Sequence, residues 1–311
     1  MSSLRGRYSV SQIGSIARKT LKASISAVGR GLHSGADVRI NLCPAPANAG
    51  IIFRRTDLGV EIRASFSNVT DTRLCTLISN GDAKIGTIEH LMAALAAAEV
   101  DDAIIEVDGA EVPIFDGSAA PFLFLVESAG VVEHGGMRSA LEILRPVRVE
   151  QSGAFAELRP HQAGGVGFSL DLSIEFKARA IGAQAFQFHL SESTFLADIA
   201  RARTFTLLGE IEALRKMGLA RGGSLANAVV VDDEKILNPE GLRFDNEFVR
   251  HKLLDVIGDL YLAGAPIYGV FKGNRTGHGL NNQLLRAVFA DQANYRLATG
   301  QLAAPLQLTA A

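Results

Sequence analysis

The chain has 311 residues, and 48% of them are hydrophobic. Because this length exceeds the usual size of a domain with one hydrophobic core, two domains are expected. A net charge of −2 provides no bulk positive field, which argues against a nucleic-acid partner. Two cysteines, Cys43 and Cys75, cannot form a disulfide framework or a cysteine-type zinc site, so a reducing compartment fits best. No apolar run reaches 18 residues, so no transmembrane segment is expected.

The N-terminal segment is basic and rich in serine. Its first 36 residues contain no acidic residue and lack the apolar core of a secretory signal. We interpret residues 1–16 as a short N-terminal extension, and an organelle transit peptide is the alternative.

The first half of the chain reads as short strands followed by helices. Strand-like runs at 37–42, 51–53 and 61–66 are separated by turn residues. A helix follows Thr87, a plausible N-cap. The alternating A-I-I-E-V-D predicts a strand at 103–108, residues 113–119 predict a turn, and residues 121–129 predict a helix. Residues 133–136, E-H-G-G, predict a linker.

The same order recurs after this linker. Strand-like runs at 141–150, 154–158 and 168–176 precede a helix at 251–262, a strand at 266–272, a G-H-G loop and a helix at 281–290. The pattern predicts a mixed α/β (α+β) fold with two similar two-layer sheet-plus-helix domains, 17–135 and 136–311. Their interface is the expected place for an active site.

Two helical segments carry histidines beside carboxylates. His251, Asp255 and Asp259 recur every four residues, so a helix projects all three from nearly one face. A metal ion could take two of them, and His90 is the candidate third ligand, since a catalytic zinc keeps three protein ligands and one open position. Glu89 lies about 100° around the same helix from His90, which suits a general base.

Structural explanations of the same residues stay open. A histidine on a helix is more often structural than a metal ligand, and His251 with Asp255 could form a simple helix-stabilising pair. Burying His, Asp and Glu among Leu, Ile and Ala without partners would nevertheless cost several kcal/mol. His278 lies between two glycines, which is also typical of a turn, and a role at neutral pH would need a charge such as Asp259 to keep it protonated.

A hydrophobic segment follows Thr204. The spacing of its apolar residues predicts, by default, a helix that faces the core, with positions Phe205, Leu207, Leu208, Ile211, Leu214, Met217 and Leu219.

Several motifs together resemble one family. These are T-I-E-H-L-M-A-A-L, F-D-G-S-A-A-P-F, R-A-R-T-F, the long L-N-P-E-G-L-R-F to H-K-L-L-D-V-I-G-D-L segment, and G-H-G-L-N-N. From about residue 17 onward the chain resembles the UDP-3-O-acyl-N-acetylglucosamine deacetylases, zinc enzymes of lipid A biosynthesis in Gram-negative bacteria. The resemblance implies hydrolysis of the N-acetyl group of UDP-3-O-(3-hydroxyacyl)-N-acetylglucosamine, with release of acetate.

The resemblance also implies roles for single residues. It makes His90, His251 and Asp255 the zinc ligands, Glu89 the general base, His278 the general acid or cation, and Asp259 its orienting partner. Thr204 would stabilise the oxyanion, Phe205 would lie beside the substrate, and Lys252 would hold the nucleotide diphosphate. An inserted β-α-β unit at about 205–230 would form an apolar passage for the acyl chain, where Gly223 and Ser224 leave room.

Some positions are less determined. Leu74 and Cys75 are expected to line the cavity near the metal, and a core position is the alternative. Lys252 could instead be a solvated helix residue and Phe205 a core aromatic. His33, in G-R-G-L-H-S-G, has no assigned role.

Other classes of protein share parts of this residue pattern. Two histidines and a carboxylate also describe a non-haem iron(II) enzyme, and imidazole and carboxylate ligands accept Fe²⁺ as well as Zn²⁺. A metalloprotease is disfavoured because H-E-x-x-H is absent and Gly86 stands where the inverted motif needs a histidine. A non-catalytic acyl-nucleotide binding protein is the remaining alternative. The expected protein is a cytoplasmic monomer whose partner is a UDP-linked acylated glucosamine.

Overall fold

The computed structural model describes residues 17–162 and 165–299. Within these ranges the chain forms six helices and twenty strands, which confirms the expected mixed α+β class. None of the described helices is long and apolar enough to cross a membrane. The predicted N-terminal extension at 1–16 and the last residues of the predicted second domain, 300–311, lie outside the described residues.

The first half builds a five-stranded sheet in the order β2-β3-β9-β4-β5, in which only β4 and β9 run parallel. A small sheet of β6, β7 and β8 lies beside it, and β1 pairs with β10. The elements are β1 (Ala17–Leu21), β2 (Ile25–Arg30), β3 (Asp37–Pro44), β4 (Ile51–Arg55), β5 (Val60–Arg63), β6 (Val69–Asp71), β7 (Leu77–Asn80), β8 (Ala83–Ile85), α1 (Glu89–Ala97), β9 (Ala103–Val107), α2 (Ala120–Ala129) and β10 (Val131–Met137).

The second half builds a seven-stranded sheet around the central strand β19, which has three partner strands. That strand pairs with β13 on one side and with β11 and then β14 on the other, while a separate small sheet contains β16, β17 and β18. The elements are β11 (Ser139–Ile143), β12 (Val147–Gln151), β13 (Ala154–Arg159), β14 (Phe168–Glu175), β15 (Ala183–His189), α3 (Glu192–Asp198), β16 (Phe205–Leu207), α4 (Leu208–Lys216), β17 (Val229–Asp232), β18 (Lys235–Ile236), α5 (Glu247–Tyr261), β19 (Ile267–Asn274), α6 (His278–Phe289) and β20 (Tyr295–Thr299).

Alternation along the strands decides which face of each sheet is buried. In β14 the apolar residues Phe168, Leu170, Leu172 and Ile174 are buried, and the residues between them are only partly so. This period of two is what a sheet with one packed face requires. Helix α5 is instead buried on almost every side, so it lies in the interior rather than on the surface.

Close packing of α1 against α5 joins the two halves of the chain. Gly258, in the middle of α5, lies so near α1 that a Cβ at this position would overlap the carbonyl oxygen of Glu89. Only glycine allows this approach. Because His90 follows Glu89, the contact also sets the distance between the polar side chains of the two helices.

Some predicted boundaries were wrong. Residues 133–136 lie within β10, where Glu133 pairs with Lys19 of β1, and are not a linker. The run at 141–150 divides into β11 and β12, because Pro146 lacks the N–H that a continuous ladder needs. The strand predicted at 61–66 ends at Arg63, and a 3₁₀ turn, Phe66–Asn68, follows. The division into domains at 135/136 stays a prediction and falls within β10.

The predicted ends of two helices also need correction. Thr87 does not cap α1, because its φ of +58° places it in the left-handed region and its hydroxyl has no hydrogen-bond partner among the described residues. The N-cap is Ile88, without a side-chain cap. Helix α6 begins at His278, three residues before the predicted start, so this histidine occupies the first turn of a helix rather than a loop.

Candidate metal centre and active site

Helices α1 and α5 bring His90, His251 and Asp255 into one buried cluster. The ligand atoms of these three residues all lie within 4.8 Å of one another. Nε2 of His251 is 3.4 Å and Nε2 of His90 is 3.7 Å from Oδ1 of Asp255. One helical turn separates His251 from Asp255, whereas His90 arrives through the contact of α1 with α5.

The spacing and the unpaired atoms of this cluster suit a metal ion. Three ligands at about 2.1 Å from one tetrahedral zinc ion would be about 3.4 Å apart. Oδ1 of Asp255, the atom that lies nearest both histidines, is buried and has no hydrogen-bond partner within the described part of the chain. A shared cation would compensate the buried carboxylate oxygen, which would otherwise be costly to desolvate. These three residues could therefore hold a metal.

The protonation states agree with this donor set. Burial lowers the pKa of His251 to about 3, so its ring is neutral at pH 7. Its Nδ1 lies 3.0 Å from the carbonyl oxygen of Ala202, which can only accept, so Nδ1 carries the proton and Nε2 offers a lone pair. Although burial opposes ionisation, the Lys252 ammonium 2.9 Å away holds the pKa of Asp255 well below its usual value.

Glu89 lies in the first turn of α1 beside the cluster. Its Oε2 accepts a hydrogen bond from the backbone N–H of Thr76, and its Oε1 is 4.0 Å from Nε2 of His278. The side chain is 4% exposed, and burial raises its pKa above the ordinary value for a glutamate. A carboxylate with a raised pKa and one oxygen without a backbone donor can accept a proton.

His278 is held by Asp259 from α5. Its Nδ1 is 2.9 Å from Oδ2 of Asp259, whose oxygens also accept from Asn281 Nδ2 at 2.8 Å and Thr76 Oγ1 at 2.5 Å. Burial alone would lower the pKa of His278, but the charge and hydrogen bond of Asp259, together with the nearby carboxylates of Glu89 and Asp255, raise it to about 9. His278 is therefore a cation at neutral pH. Sequence reasoning did not assign Thr76 or Asn281, although Asn281 lies in the motif G-H-G-L-N-N and Thr76 directly follows Cys75.

A large cavity of about 1030 Å³ opens from these residues. Its walls include all of the predicted substrate-contacting positions. These are Thr204, Phe205, Lys252, Leu74, Gly223 and Ser224, with Cys75 beside them. The structure therefore brings the predicted site residues to one place.

The segment after Thr204 has the β-α-β form and is not a core-facing helix. β16 and β17 run parallel and are joined through α4, in which no residue is buried. Leu208, Ile211 and Leu214 of α4 line the cavity instead. The default interpretation failed because helical spacing shows that one face is apolar, not what covers it.

Other predicted residues have definite partners. The Phe205 ring packs edge-on against Phe248 and lies 6.2 Å from the ring of His251, so it contacts both core and site. Lys252 is not a solvated helix residue, because its side chain is 25% exposed and bonded to Asp255. His33 also lines the cavity, and neither ring nitrogen has a hydrogen-bond partner within the described residues.

Comparison with known proteins agrees with the geometry. The family model described as UDP-3-O-acyl N-acetylglycosamine deacetylase matches residues 18–290. Proteins named UDP-3-O-acyl-N-acetylglucosamine deacetylase from Photobacterium profundum, Chromobacterium violaceum and Acidithiobacillus ferrooxidans are 50%, 49% and 48% identical to this chain. These alignments cover 92%, 87% and 89% of the chain and 94%, 90% and 91% of the respective relatives. The chain therefore belongs to the UDP-3-O-acyl N-acetylglycosamine deacetylase family, whose members are hydrolytic enzymes that act on an amide.

Proposed function

We propose that this protein hydrolyses the N-acetyl group of UDP-3-O-(3-hydroxyacyl)-N-acetylglucosamine, releases acetate in lipid A biosynthesis, and does so with zinc. One observation supports this most strongly: the buried cluster of His90, His251 and Asp255 lies beside Glu89 and His278 in a chain of this family. The names of the relatives supply the substrate. We further propose a monomer in the cytoplasm of a Gram-negative bacterium.

The metal would be held by His90, His251 and Asp255. A zinc ion bound there would lower the pKa of a water molecule toward about 7 and would polarise a carbonyl group. Fe²⁺ fits the same nitrogen and oxygen donors, so it is the alternative ion.

Three side chains would handle the proton and charge of amide hydrolysis. Glu89 takes a proton from the attacking water, since burial favours its protonated form once the proton arrives. The hydroxyl of Thr204, in the cavity wall, donates to the carbonyl oxygen as negative charge develops there. His278, kept cationic by Asp259, gives its Nε2 proton to the departing nitrogen or stabilises the charge beside it.

The cavity would recognise the two ends of the substrate differently. Lys252 bonds Asp255 with one of its three N–H groups, which leaves donors for a phosphate oxygen of the diphosphate. Phe205 would lie against the sugar. The apolar wall of α4, with Leu74, Gly223 and Ser224, would take the acyl chain, at about 0.8 kcal/mol for each buried CH₂.

The first experiment is acetate release from UDP-3-O-hydroxyacyl-N-acetylglucosamine by purified protein, before chelation, after chelation and after zinc is restored. Release that disappears with the metal and returns with it supports the proposal. Absence of release from every acyl length, despite one bound zinc, would refute the deacetylase function and favour a binding protein. Full turnover with Fe²⁺ but not with Zn²⁺ would favour the iron enzyme.

A further inference from the structure

An ion pair without an assigned role, Arg203 with Glu247, lies next to the candidate metal centre, because Glu247 precedes His251 by one turn of α5. Nε of Arg203 is 2.9 Å from Oε1 of Glu247, and its Nη2 is 3.1 Å from Oε2. The same guanidinium reaches Glu240 Oε1 at 2.6 Å and the carbonyl oxygen of Gly241 at 2.7 Å. The side chains of Arg203 and Glu247 are 2% and 0% exposed, so this pair is fully desolvated.

A second arginine extends the same network to the first half of the chain. Nη1 of Arg243 is 2.8 Å from Oδ2 of Asp116 and 3.0 Å from the carbonyl oxygen of Arg201, and its backbone N–H donates to Oε2 of Glu247 at 2.6 Å. Glu247 also accepts from the backbone N–H of Arg203 at 2.9 Å. Residues 201–203 are therefore tied on several sides to the beginning of α5.

The tied segment carries two groups that the site uses. The carbonyl oxygen of Ala202 accepts the hydrogen bond from Nδ1 of His251, and the side chain of Thr204 lines the cavity. A hydrogen bond to the far nitrogen of a ligating histidine sets its tautomer and the direction of its lone pair. A small displacement of residues 202–204 would thus move the Nε2 lone pair of His251 and the Thr204 hydroxyl together.

We propose that Arg203, Glu247, Glu240, Arg243 and Asp116, which we call the clamp, are positioning residues for His251 and Thr204. This inference rests on the proposed metal centre. A buried ion pair contributes little net stability compared with apolar side chains of the same volume, so stability alone does not account for it. Its rigid, multiply bonded geometry is suited to holding a backbone carbonyl in place.

The test replaces the forked guanidinium with a single ammonium in Arg203→Lys, which keeps the charge and loses the bidentate bonds. The matched control is Arg138→Lys, because Arg138 is 4% exposed and also bonds two carboxylates, Asp101 and Glu99, at 2.9 Å each. Zn²⁺ dissociation constants would be measured on metal-free protein by competition with a chromophoric chelator. Thermal unfolding of both variants would be measured alongside.

We expect Tm to fall in both variants, but the Zn²⁺ dissociation constant to rise by about 10- to 100-fold only in Arg203→Lys. The kcat of Arg203→Lys should fall while its KM stays within about twofold of wild type. Equal metal affinity in wild type and Arg203→Lys, with a lowered Tm, would overturn the inference and leave the clamp a purely structural pair.

A milder variant covers the case in which Arg203→Lys does not fold. Glu240→Ala removes the hydrogen bond from Nη1 of Arg203 to Glu240, whose side chain is 54% exposed. We expect its Zn²⁺ dissociation constant to rise by about 2- to 5-fold, and an unchanged constant would overturn the inference. The Zn²⁺ dissociation constant is measured without substrate, so it does not depend on the proposed reaction. If wild-type protein binds zinc but releases no acetate, the proposed function is refuted, and the role of the clamp can still be tested.

Discussion

Asp259→Asn should move the pH dependence of catalysis, because Asp259 contributes most among the groups that favour the charged form of His278. The two side chains are 2.9 Å apart, and His278 is 10% exposed, so solvent screens their interaction little. Burial lowers the pKa of His278, but Asp259, Glu89 and Asp255 together raise it from 6.5 to about 9, and Asp259 contributes both its charge and a hydrogen bond. That difference corresponds to about 3 kcal/mol in favour of the imidazolium. Asparagine keeps the shape of the side chain and removes the charge.

The direction in which the pH profile moves follows from the raised pKa of His278. His278 is protonated below about pH 9 in the wild type, and activity that needs the cation is lost as the pH rises through that value. In Asp259→Asn the pKa of His278 falls toward or below 6.5, so the basic limb of kcat/KM should move down by about two units. A bound divalent cation would lower the pKa of His278 in wild type and in Asp259→Asn alike. The prediction therefore concerns the difference in the position of the basic limb between the two proteins.

The assay is acetate release from about pH 6 to pH 10, plotted as log kcat/KM for each protein. Asn281→Leu is the control, because it removes a neutral hydrogen bond to Asp259 and keeps the charge. Its basic limb should move by less than about one unit. An identical basic limb in Asp259→Asn and wild type would refute the assignment of this limb to His278.

Four further changes test other parts of the structure. Glu89→Ala should keep about one equivalent of zinc and lose at least about 100-fold in turnover, and near-normal turnover would remove Glu89 as the base. Asp255→Ala should lower zinc occupancy after dialysis, and unchanged affinity would mean that another carboxylate binds the metal. Gly258→Ala should destabilise the fold by about 1–3 kcal/mol in thermal or urea unfolding, because its Cβ would overlap the carbonyl of Glu89; wild-type stability would contradict the close helix contact. Ser224→Leu should raise KM more for long than for short acyl chains, and an equal change for all lengths would place the acyl chain elsewhere.

The helical period accounts for the part of the site that sequence could predict. His251, Asp255 and Asp259 are four residues apart, and a helix places them on one face whatever surrounds it. Glu89 and His90 are consecutive residues at the start of α1, so their proximity also depends only on neighbours along the chain. The resemblance of the motifs to one family suggested the roles of these residues, and the match to the family model agrees with that resemblance.

Long-range packing accounts for what sequence could not predict. Thr76 and Asn281 donate hydrogen bonds to Asp259, from which they are 183 and 22 residues away in the sequence. Neither residue type by itself indicates that its side chain holds a carboxylate in place. The arrival of His90 at α5 depends on the glycine at 258, whose effect is visible only when two helices are in contact. Likewise, Lys252 looked like a solvated helix residue until its bond to Asp255 was known.

By itself, the sequence determined what depends on neighbours along the chain: the mixed α+β class, most strands and helices, the ligand spacing on α5 and the family. Tertiary structure decided what depends on distant segments: that residues 133–136 pair as a strand, that α4 faces a cavity, and that Arg203 ties residues 201–203 to Glu247. The physical reason is that periodicity and capping act over a few residues, whereas burial and ion pairing depend on which segments the fold brings together.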